Sequence, residues 1–275
     1  MRAICLAFGV ARSNLIDRRR RGIVGRSPRK VDDDALVEQL RPIVDARASY
    51  GYRRATAVLN RARRRSRARC VNAKRIYRIM KAQGWLLQRH TGKSTRTHDG
   101  VIVTLKSNLR WCSDGFEIRC WDGQRVQVAF SLDCCDREVM SYVATTGAIT
   151  GEMVRDLMAD SVEQRFGANA IGTPHPVEWL SDNGPPYTAR ETRVFGEKLG
   201  LIVCTTPAYS PESNGMAESF VKTFKRDYVY LNELHNAHDV MKKLADWFED
   251  YNEMHPHKGL RLQSPREYRR ATTNT

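Results

Sequence analysis

Three acidic residues occupy positions from which carboxylates commonly act in catalysis. Asp114 lies in the strand-like run RWCSDGFEIR, where alternation places it among apolar side chains. A carboxylate on an apolar face is costly unless something compensates it, and a cation is the simplest compensation. Asp182 follows the strand-like run VEWLS and precedes a glycine, whereas Glu218 falls in the first turns of a predicted helix. Carboxylates suit Mg²⁺, and two such ions about 3.5–4 Å apart would serve a phosphodiester displacement.

Each acid also has a plainer interpretation. Asp182 could simply form a turn, and Glu218 could be a favourable charge at a helix N-terminus. Asp133 and Asp136 are competing candidates, but the segment DCCDRE is typical of a turn. Glu117 lies on the opposite strand face from Asp114, which predicts a solvated side chain.

The hydrophobic pattern predicts the elements that must position these acids. Three strand-like runs come first, and two further strands then alternate with helices, which gives the order βββ-α-β-α-β-α-α. This order predicts an α/β fold with a mixed sheet flanked by helices, of the ribonuclease-H-like kind. The predicted strands are Arg110–Arg119, Arg125–Asp133, Glu138–Thr146, Val177–Ser181 and Leu201–Thr205, and the helices are Thr150–Phe166, Thr188–Leu199, Gly215–Tyr230 and about His238–Asn252.

Positive charge is concentrated in the first third of the 275-residue chain. Residues 1–100 hold 26 Lys and Arg against 7 Asp and Glu, whereas residues 101–275 hold 20 against 24, within a net charge of +15. Such asymmetry favours a nucleic-acid-binding module ahead of a different domain. A solvated basic face kept for solubility is the alternative.

The basic third has the pattern of a small all-α domain. Helical spacing predicts helices over Asp32–Ala48, with a kink or break at Pro42, over Arg53–Asn60, and over Asn72–Gly84. Three short helices beside an arginine cluster resemble a helix-turn-helix variant, whose last helix usually enters the major groove. The candidate DNA contacts are Lys74, Arg75 and Arg78 on the last helix and Arg64 and Arg65 in the cluster; a solvated charge is the alternative for each.

Several classes of protein and site are disfavoured by composition. No run approaches 18 apolar residues, and the N-terminus is not typical of a signal peptide, so neither a membrane span nor export is expected. Seven cysteines without a CxxC pair indicate reduced thiols of a cytoplasmic protein. The pairs His235/His238 and His255/His257 have no CxxC partner, so a zinc knuckle is unsupported, and His255 and His257 are expected to pack or to contact DNA.

Four motifs in order carry a family resemblance. They are SYGYRR…VNAKRIYRIMKAQGW, RWCSDGFE, the pair WLSDNGPPYT and AYSPESNGMAESFVKTFKRDY, and YNEMHPHKGLRLQSPREY. Within them, 35 residues separate Asp182 from Glu218. Over roughly residues 45–270 the chain resembles the OrfB transposases of two-frame bacterial insertion sequences, which share a DDE integrase core with retroviral integrases.

The resemblance implies a set of site residues and a metal. Asp114, Asp182 and Glu218 would bind two Mg²⁺ or Mn²⁺, and the enzyme would cut at an element end and join the freed 3′-OH to another phosphodiester. Lys222 and Lys225 share the helix face of Glu218 and are candidates to hold DNA phosphates, with a partnerless surface lysine as the alternative. Asn183 and Asn214 are candidates to position DNA or a ligand carboxylate.

The resemblance also implies partners and an organisation. The expected partners are double-stranded DNA (element ends and target), further copies of the chain on DNA, and the upstream-frame product, which the resemblance implies is fused to this chain by frameshifting. The expected location is the bacterial cytoplasm, at the nucleoid. The predicted organisation is a helix-turn-helix-like region at 1–85, a linker at 86–108, and a catalytic core with C-terminal helices at 109–275.

Two other functions remain open at this stage. The chain could be a non-catalytic DNA-binding regulator or an inactive element remnant, although retention of all three acids argues against decay. A ribonuclease-H-type nuclease could use the same fold on an RNA–DNA hybrid, but it would not need the basic N-terminal module.

Overall fold

A computed structural model of the protein describes Cys5 and residues 33–87, 104, 106–206 and 215–273. The chain divides into two compact units, residues 1–42 and 43–275. Helix α1 (Asp33–Ala46) runs through Pro42 without a break, so the predicted interruption does not occur; Pro42 lies on its exposed side. Helices α2 (Tyr52–Arg65) and α3 (Ala73–Ala82) follow, and the Asn72 side chain caps α3 by accepting from the Lys74 N–H.

A five-stranded mixed sheet forms the centre of residues 43–275. Its strands are β1 (Arg110–Arg119), β2 (Arg125–Asp133), β3 (Val139–Thr145), β4 (Val177–Ser181) and β5 (Leu201–Thr205). Their spatial order is β3-β2-β1-β4-β5, with antiparallel pairs among the first three and parallel pairs at β1–β4 and β4–β5. This is the predicted meander followed by alternating strands and helices.

Helices cover the sheet on two faces because the strands bury side chains in both directions. One apolar cluster joins Trp111, Trp179 and the side chains of α4 (Gly151–Phe166); α5 (Pro185–Thr188) and α6 (Arg190–Lys198) also pack there. The other cluster joins the opposite strand face to α7 (Gly215–Asp227) and α8 (Ala237–Met254). The predicted ribonuclease-H-like mixed sheet flanked by helices is confirmed. In the described part of the chain, no helix has the length and apolarity that a membrane span requires.

The C-terminal segment adds an element that the hydrophobic pattern does not predict. After a single turn of 3₁₀ helix at Lys258–Leu260, helix α9 (Pro265–Thr273) docks mainly through ion pairs. Arg266 and Arg269 both bind the buried carboxylate of Glu138, at 2.8 and 2.9 Å. Because α9 has few apolar side chains, its sequence alone does not indicate a packed helix.

Three arginines near the start of the 43–275 unit bind carboxylates of its C-terminal half; Arg47 directly follows α1, and Arg54 and Arg61 lie in α2. Arg47 pairs with Asp250, Arg54 with Asp227 at 3.2 Å, and Arg61 with Glu267. The Arg61 side chain is only 5% exposed and also donates to the Met254 carbonyl at 2.9 Å. A buried bidentate pair is costly to break, because loss of one partner leaves an uncompensated charge.

Two adjacent histidines lie where these helices meet the core. His255 and His257 are both buried, their rings lie 4.6 Å apart, and His255 Nδ1 lies 2.8 Å from the Tyr50 hydroxyl. Burial lowers the pKa of both histidines well below 6.5, and nearby arginines lower it further. Both rings are therefore neutral in the folded protein, and they pack against each other and against the Tyr251 ring.

Acidification should destabilise the protein through these histidines. Because their folded pKa values lie below the unfolded value of 6.5, the unfolded chain binds more protons as the pH falls below 6.5. Each histidine then costs about 1.4 kcal/mol per pH unit until its folded pKa is reached. We expect the unfolding free energy to fall between pH 7 and 5.5, and His257→Leu to reduce that fall by about 1 kcal/mol in chemical denaturation.

The exposed residue His238 provides the matched control. A His238→Leu variant makes the same substitution at an exposed position and controls for the general effect of replacing a histidine with leucine. If the unfolding free energies of the wild type and of His257→Leu changed in parallel with pH, the expected contribution of the buried ring would be contradicted.

Candidate active site

The parallel pairing of β1 with β4 leads toward two of the three predicted acids. The pairing ends at Cys112 and Leu180, and Asp114 and Asp182 each lie two residues beyond that pair, with Asp182 directly after the last residue of β4. Asp114 shares the β1 face that packs against α7, while Asp182 leaves the carboxyl end of β4 at the adjacent position. Neighbouring parallel strands therefore supply two carboxylates at one edge of the site.

Aromatic packing brings the third acid to the same strand face. Phe130 lies directly across from Asp114 in the β1–β2 ladder, and its ring lies 4.4 Å from that of Phe220 on α7. Phe224, one turn later, packs on Phe116 at 5.6 Å. These contacts fix the first turns of α7 over β1 and β2. Glu218 lies two residues before Phe220, in the first turn of α7, and its negative charge raises the pKa of Asp114.

The local backbone orients both aspartates. The Gly115 N–H donates to Asp114 Oδ1 at 2.8 Å, and the Gly184 N–H donates to Asp182 Oδ1 at 3.1 Å. A Cβ at Gly184 would lie only 3.0 Å from Asp182 Oδ1. A side chain at position 184 would therefore crowd the carboxylate, which would have to shift by a few tenths of an ångström.

The electrostatic surroundings of Asp114 include both other acids. Its pKa is raised to about 6, mainly by burial and also by the negative charges of Asp182 and Glu218, against the lowering effect of the Gly115 N–H. Three carboxylates with only oxygen donors and mutual repulsion fit a hard divalent cation, which would remove that repulsion. This chemistry is the basis for assigning a metal to the site.

Glu218 is paired with a lysine in this structure. Its Oε2 accepts from Lys222 Nζ at 3.1 Å, with the two side chains 44% and 77% exposed. Among the residues that the structure describes, no three His, Cys, Asp or Glu side chains converge closely enough to share a metal ion. An exposed i,i+4 pair contributes only about 0.3–0.5 kcal/mol. Exchange of Lys222 for a cation at Glu218 would therefore cost little.

A hydroxyl pair links the two aspartate-bearing segments on the other sheet face. Ser113 precedes Asp114, and its Oγ donates to the Tyr187 hydroxyl at 3.1 Å. Tyr187 lies in the short helix α5, which begins directly after Asp182-Asn183-Gly184, and both side chains are buried. The sequence pattern does not reveal this contact, because a tyrosine five residues after Asp182 is equally typical of ordinary core packing.

The other predicted contact residues lie apart from the acids or have local partners. Lys225 is half-buried, with Nζ 5.7 Å from the centre of the Phe116 ring. The Asn183 amide donates to the Thr206 carbonyl at 2.9 Å and so ties the ends of β4 and β5 together. Asn214 lies outside the described residues. Of the N-terminal residues, Lys74, Arg78, Arg64 and Arg65 are exposed and Arg75 is half-buried.

The competing acids have structural partners. Asp136 forms a bidentate pair with the buried Arg165, at 2.8 and 2.9 Å, and Asp133 accepts from the backbone N–H groups of Asn108, Cys135 and Asp136. Glu117 binds Arg119 at 2.6 Å on the face away from Asp114. These acids hold turns and strands in place.

Comparison with known proteins identifies the family. The chain matches the HTH-like domain family over residues 31–93 and the integrase core domain family over residues 105–211 and 202–265. It is 45% identical over 269 residues to transposase InsD of the Escherichia coli insertion element IS2A/D/F/H/I/K, covering 97% of this chain and 89% of the relative. The chain belongs to the insertion-element transposase family. Transposase InsD of IS2-9 from E. coli strain K12 is equally similar, with 87% of its length covered.

The fold of the transposase also has a counterpart among solved structures. The transposase aligns, with a TM-score of 0.50, to a chain in a cryo-electron microscopy structure. That structure is the simian T-cell lymphotropic virus intasome in complex with PP2A regulatory subunit B56 gamma. The alignment covers 78% of the transposase and 73% of that chain at 16% identity. At this identity the likeness concerns the fold alone.

Removing either hydroxyl of the Ser113–Tyr187 pair should destabilise the transposase by about 1 kcal/mol. Tyr187→Phe and Ser113→Ala remove the same hydrogen bond, so the double variant should lose less than the sum of the two single losses. Chemical denaturation of the four proteins measures this coupling.

The buried hydroxyl pair Ser131–Ser161, with its oxygens 2.6 Å apart, provides the control. Ser161→Ala combined with Tyr187→Phe should be additive, because the two hydroxyls have no partner in common among the described residues. Full additivity of Ser113→Ala with Tyr187→Phe would show that the contact contributes nothing to stability.

Proposed function

We propose that this transposase cleaves DNA at the ends of its insertion element and transfers the freed strand, with Asp114, Asp182 and Glu218 as the catalytic carboxylates. The observation that carries the proposal is that the charges of both Asp182 and Glu218 act on Asp114, and the aromatic docking of α7 on the strand face of Asp114 supports it. The 45% identity to InsD transposases over nearly the whole chain supports the reaction class.

Integrase core domains typically use divalent metal ions. The three carboxylates would hold two Mg²⁺ or Mn²⁺, with Asp114 facing the charges of both other acids. When bound, the metal ions supply Lewis-acid stabilisation of phosphodiester oxygens and activation of the attacking group. The protein itself orients Asp114 and Asp182 through the Gly115 and Gly184 N–H groups and excludes water from one side of Asp114.

Basic residues of α7 would hold the DNA strand beside the carboxylates. Lys222 is exposed and is bound to Glu218 in this structure, so its ammonium lies close to the site. If a cation replaces Lys222 at Glu218, the freed ammonium can bind a DNA phosphate. Lys225 lies one turn further along α7, while Asn183, held by the Thr206 carbonyl, and Asn214 would position the strand.

The N-terminal helices would hold the duplex. The HTH-like match over residues 31–93 supports DNA binding by this region. We assign phosphate or base contacts to Lys74, Arg75 and Arg78 on α3 and to Arg64 and Arg65 at the end of α2. In the proposed organisation, residues 1–85 bind DNA, 86–108 connect, and 109–275 catalyse.

The assembly that we propose is an oligomer on DNA. Joining two element ends requires at least two copies of the chain, and the fold counterpart in the viral intasome supports such an arrangement. We further propose that the product of the upstream reading frame acts with this chain, fused to it, and that the assembly works at the bacterial nucleoid.

Neutralising any of the three carboxylates should abolish the chemistry. Asp114→Asn, Asp182→Asn and Glu218→Gln each remove a metal ligand, so cleavage of a labelled element-end duplex in Mg²⁺ should fall by about 100-fold or more. Duplex binding, measured by fluorescence anisotropy in EDTA, should remain within about twofold, because binding rests on the basic residues.

Glu197→Gln is the matched control, because Glu197 is exposed on α6. This variant should cleave at the wild-type rate. Wild-type cleavage by Glu218→Gln would refute the carboxylate assignment. A wild-type protein that binds element ends but never cleaves them, with or without the upstream product, would indicate a non-catalytic regulator.

A further inference from the structure

A basic groove lies between α2 and the turn that precedes α9. It encloses about 910 Å³, and its lining comes from α2, the first residue of α3, and the segment 261–270. Four exposed arginines are among its lining residues: Arg53 and Arg64 from α2, Arg261 from the turn, and Arg270 from α9. None of these residues belongs to the proposed catalytic site, and only Arg64 is already assigned to DNA binding by the N-terminal helices.

Three of these arginines have no ion-pair partner in the described part of the chain. The Arg53 side chain donates to the Tyr52 hydroxyl at 3.1 Å, and the Arg64 side chain lies 4.0 Å from the Cys70 sulfur. The Arg261 side chain has neither a hydrogen bond nor a sulfur contact with any described residue. The only carboxylate among the lining residues is Glu267, which is already bound by the buried Arg61. The groove is therefore strongly cationic.

The backbone of the turn is strained where it contributes Arg261. Arg261 and Leu262 are consecutive non-glycine residues with φ of 54° and 64°, in the left-handed region that L-residues seldom adopt. The hydrogen bonds from His257 N–H to the Gln263 carbonyl at 3.0 Å and from Leu262 N–H to the His257 carbonyl at 2.7 Å hold this conformation. Strain of this kind persists only where the surroundings enforce it, and it is concentrated at functional sites.

We propose that this groove binds the phosphate backbone of the same DNA duplex that α3 contacts. The inference rests on the proposed function, since it presupposes that the N-terminal helices bind DNA. Ala73, the first residue of α3, borders the groove, so the positive end of the α3 dipole adds to the arginine charges. The α3 residues Lys74 and Arg78 are exposed, and they extend the basic surface along the helix beyond the groove.

Duplex DNA fits this groove better than a small anion does. The volume is far larger than one phosphate needs, and the arginines come from three separate elements rather than converging on one point. Spaced arginines with planar guanidinium groups match successive phosphates along a strand. Such contacts position the duplex and carry no sequence information.

Salt-dependent binding tests the groove in the full-length chain. The probe is a fluorescein-labelled duplex of mixed sequence, followed by anisotropy over a salt series. Arg261→Asn removes the charge but keeps a residue that tolerates the left-handed conformation. Each lost phosphate contact should weaken binding and reduce the slope of log K against log salt by about 1. We expect this change both in Arg261→Asn and in Arg53→Gln.

Matched variants separate charge from folding. Arg261→Lys should restore the wild-type slope, and Arg193→Asn on α6, outside the groove, should leave it unchanged. The loss of affinity in Arg261→Asn and Arg53→Gln should be equal for an element-end duplex and for the mixed-sequence duplex, because phosphates are common to both. Equal melting temperatures of the variants would show that the fold is retained.

The failures of the two proposals can be told apart. If the wild-type chain binds the duplex, and if both Arg261→Asn and Arg53→Gln keep the wild-type slope of log K against log salt, the groove proposal is wrong and the proposed function is unaffected. A wild-type chain that binds no duplex at any salt concentration overturns the proposed function and the groove together. A labelled poly-glutamate peptide that binds the wild type and loses that binding in Arg261→Asn, while duplex binding stays unchanged in the same variant, identifies an acidic protein as the occupant and overturns the assignment to DNA.

Discussion

Repulsion among three carboxylates is the constraint around which the rest of the structure is arranged. Asp114 is half-buried on an otherwise apolar strand face, and its raised pKa reflects both burial and the neighbouring negative charges. Elements on both faces of the sheet hold this unfavourable arrangement. On one face Phe130 and Phe220 fix α7, and on the other Ser113 and Tyr187 connect β1 to the helix after Asp182. The stability of the apolar clusters offsets the cost of keeping the acids together.

A second set of charges, well paired, holds the remaining elements. The buried Arg165 binds Asp136, and Glu138 next to them receives Arg266 and Arg269 from α9. Through Glu267, the same helix binds Arg61 of α2. The acids of the candidate site differ from these structural acids because no arginine neutralises them in the described structure, and Glu218 has only the exposed Lys222. That contrast distinguishes a structural carboxylate from a candidate catalytic one better than burial does.

Local patterns predicted what depends on local physics. The bounds predicted for β1, β2, β4 and β5 match the structure because alternation and apolar runs are strong there. The candidate acids came from their places on strands and a helix, and the charges of Asp182 and Glu218 both act on Asp114 in the structure. Long-range polar pairing was not predictable. Helix α9 packs through ion pairs, the Ser113–Tyr187 contact joins distant segments, and the basic groove exists only once α2 and the 258–264 turn meet.

The arginine pairs between the first helices and the C-terminal half have an evolutionary consequence. Arg47, Arg54 and Arg61 each depend on an acid at least 170 positions later in the chain. A recombination event that exchanged only the N-terminal region between related elements would separate these partners and leave Arg61 buried without a counter-charge. We therefore expect the two regions to be inherited together. A change in DNA preference would then arise more readily from point substitutions on exposed faces than from exchange of a whole DNA-binding module.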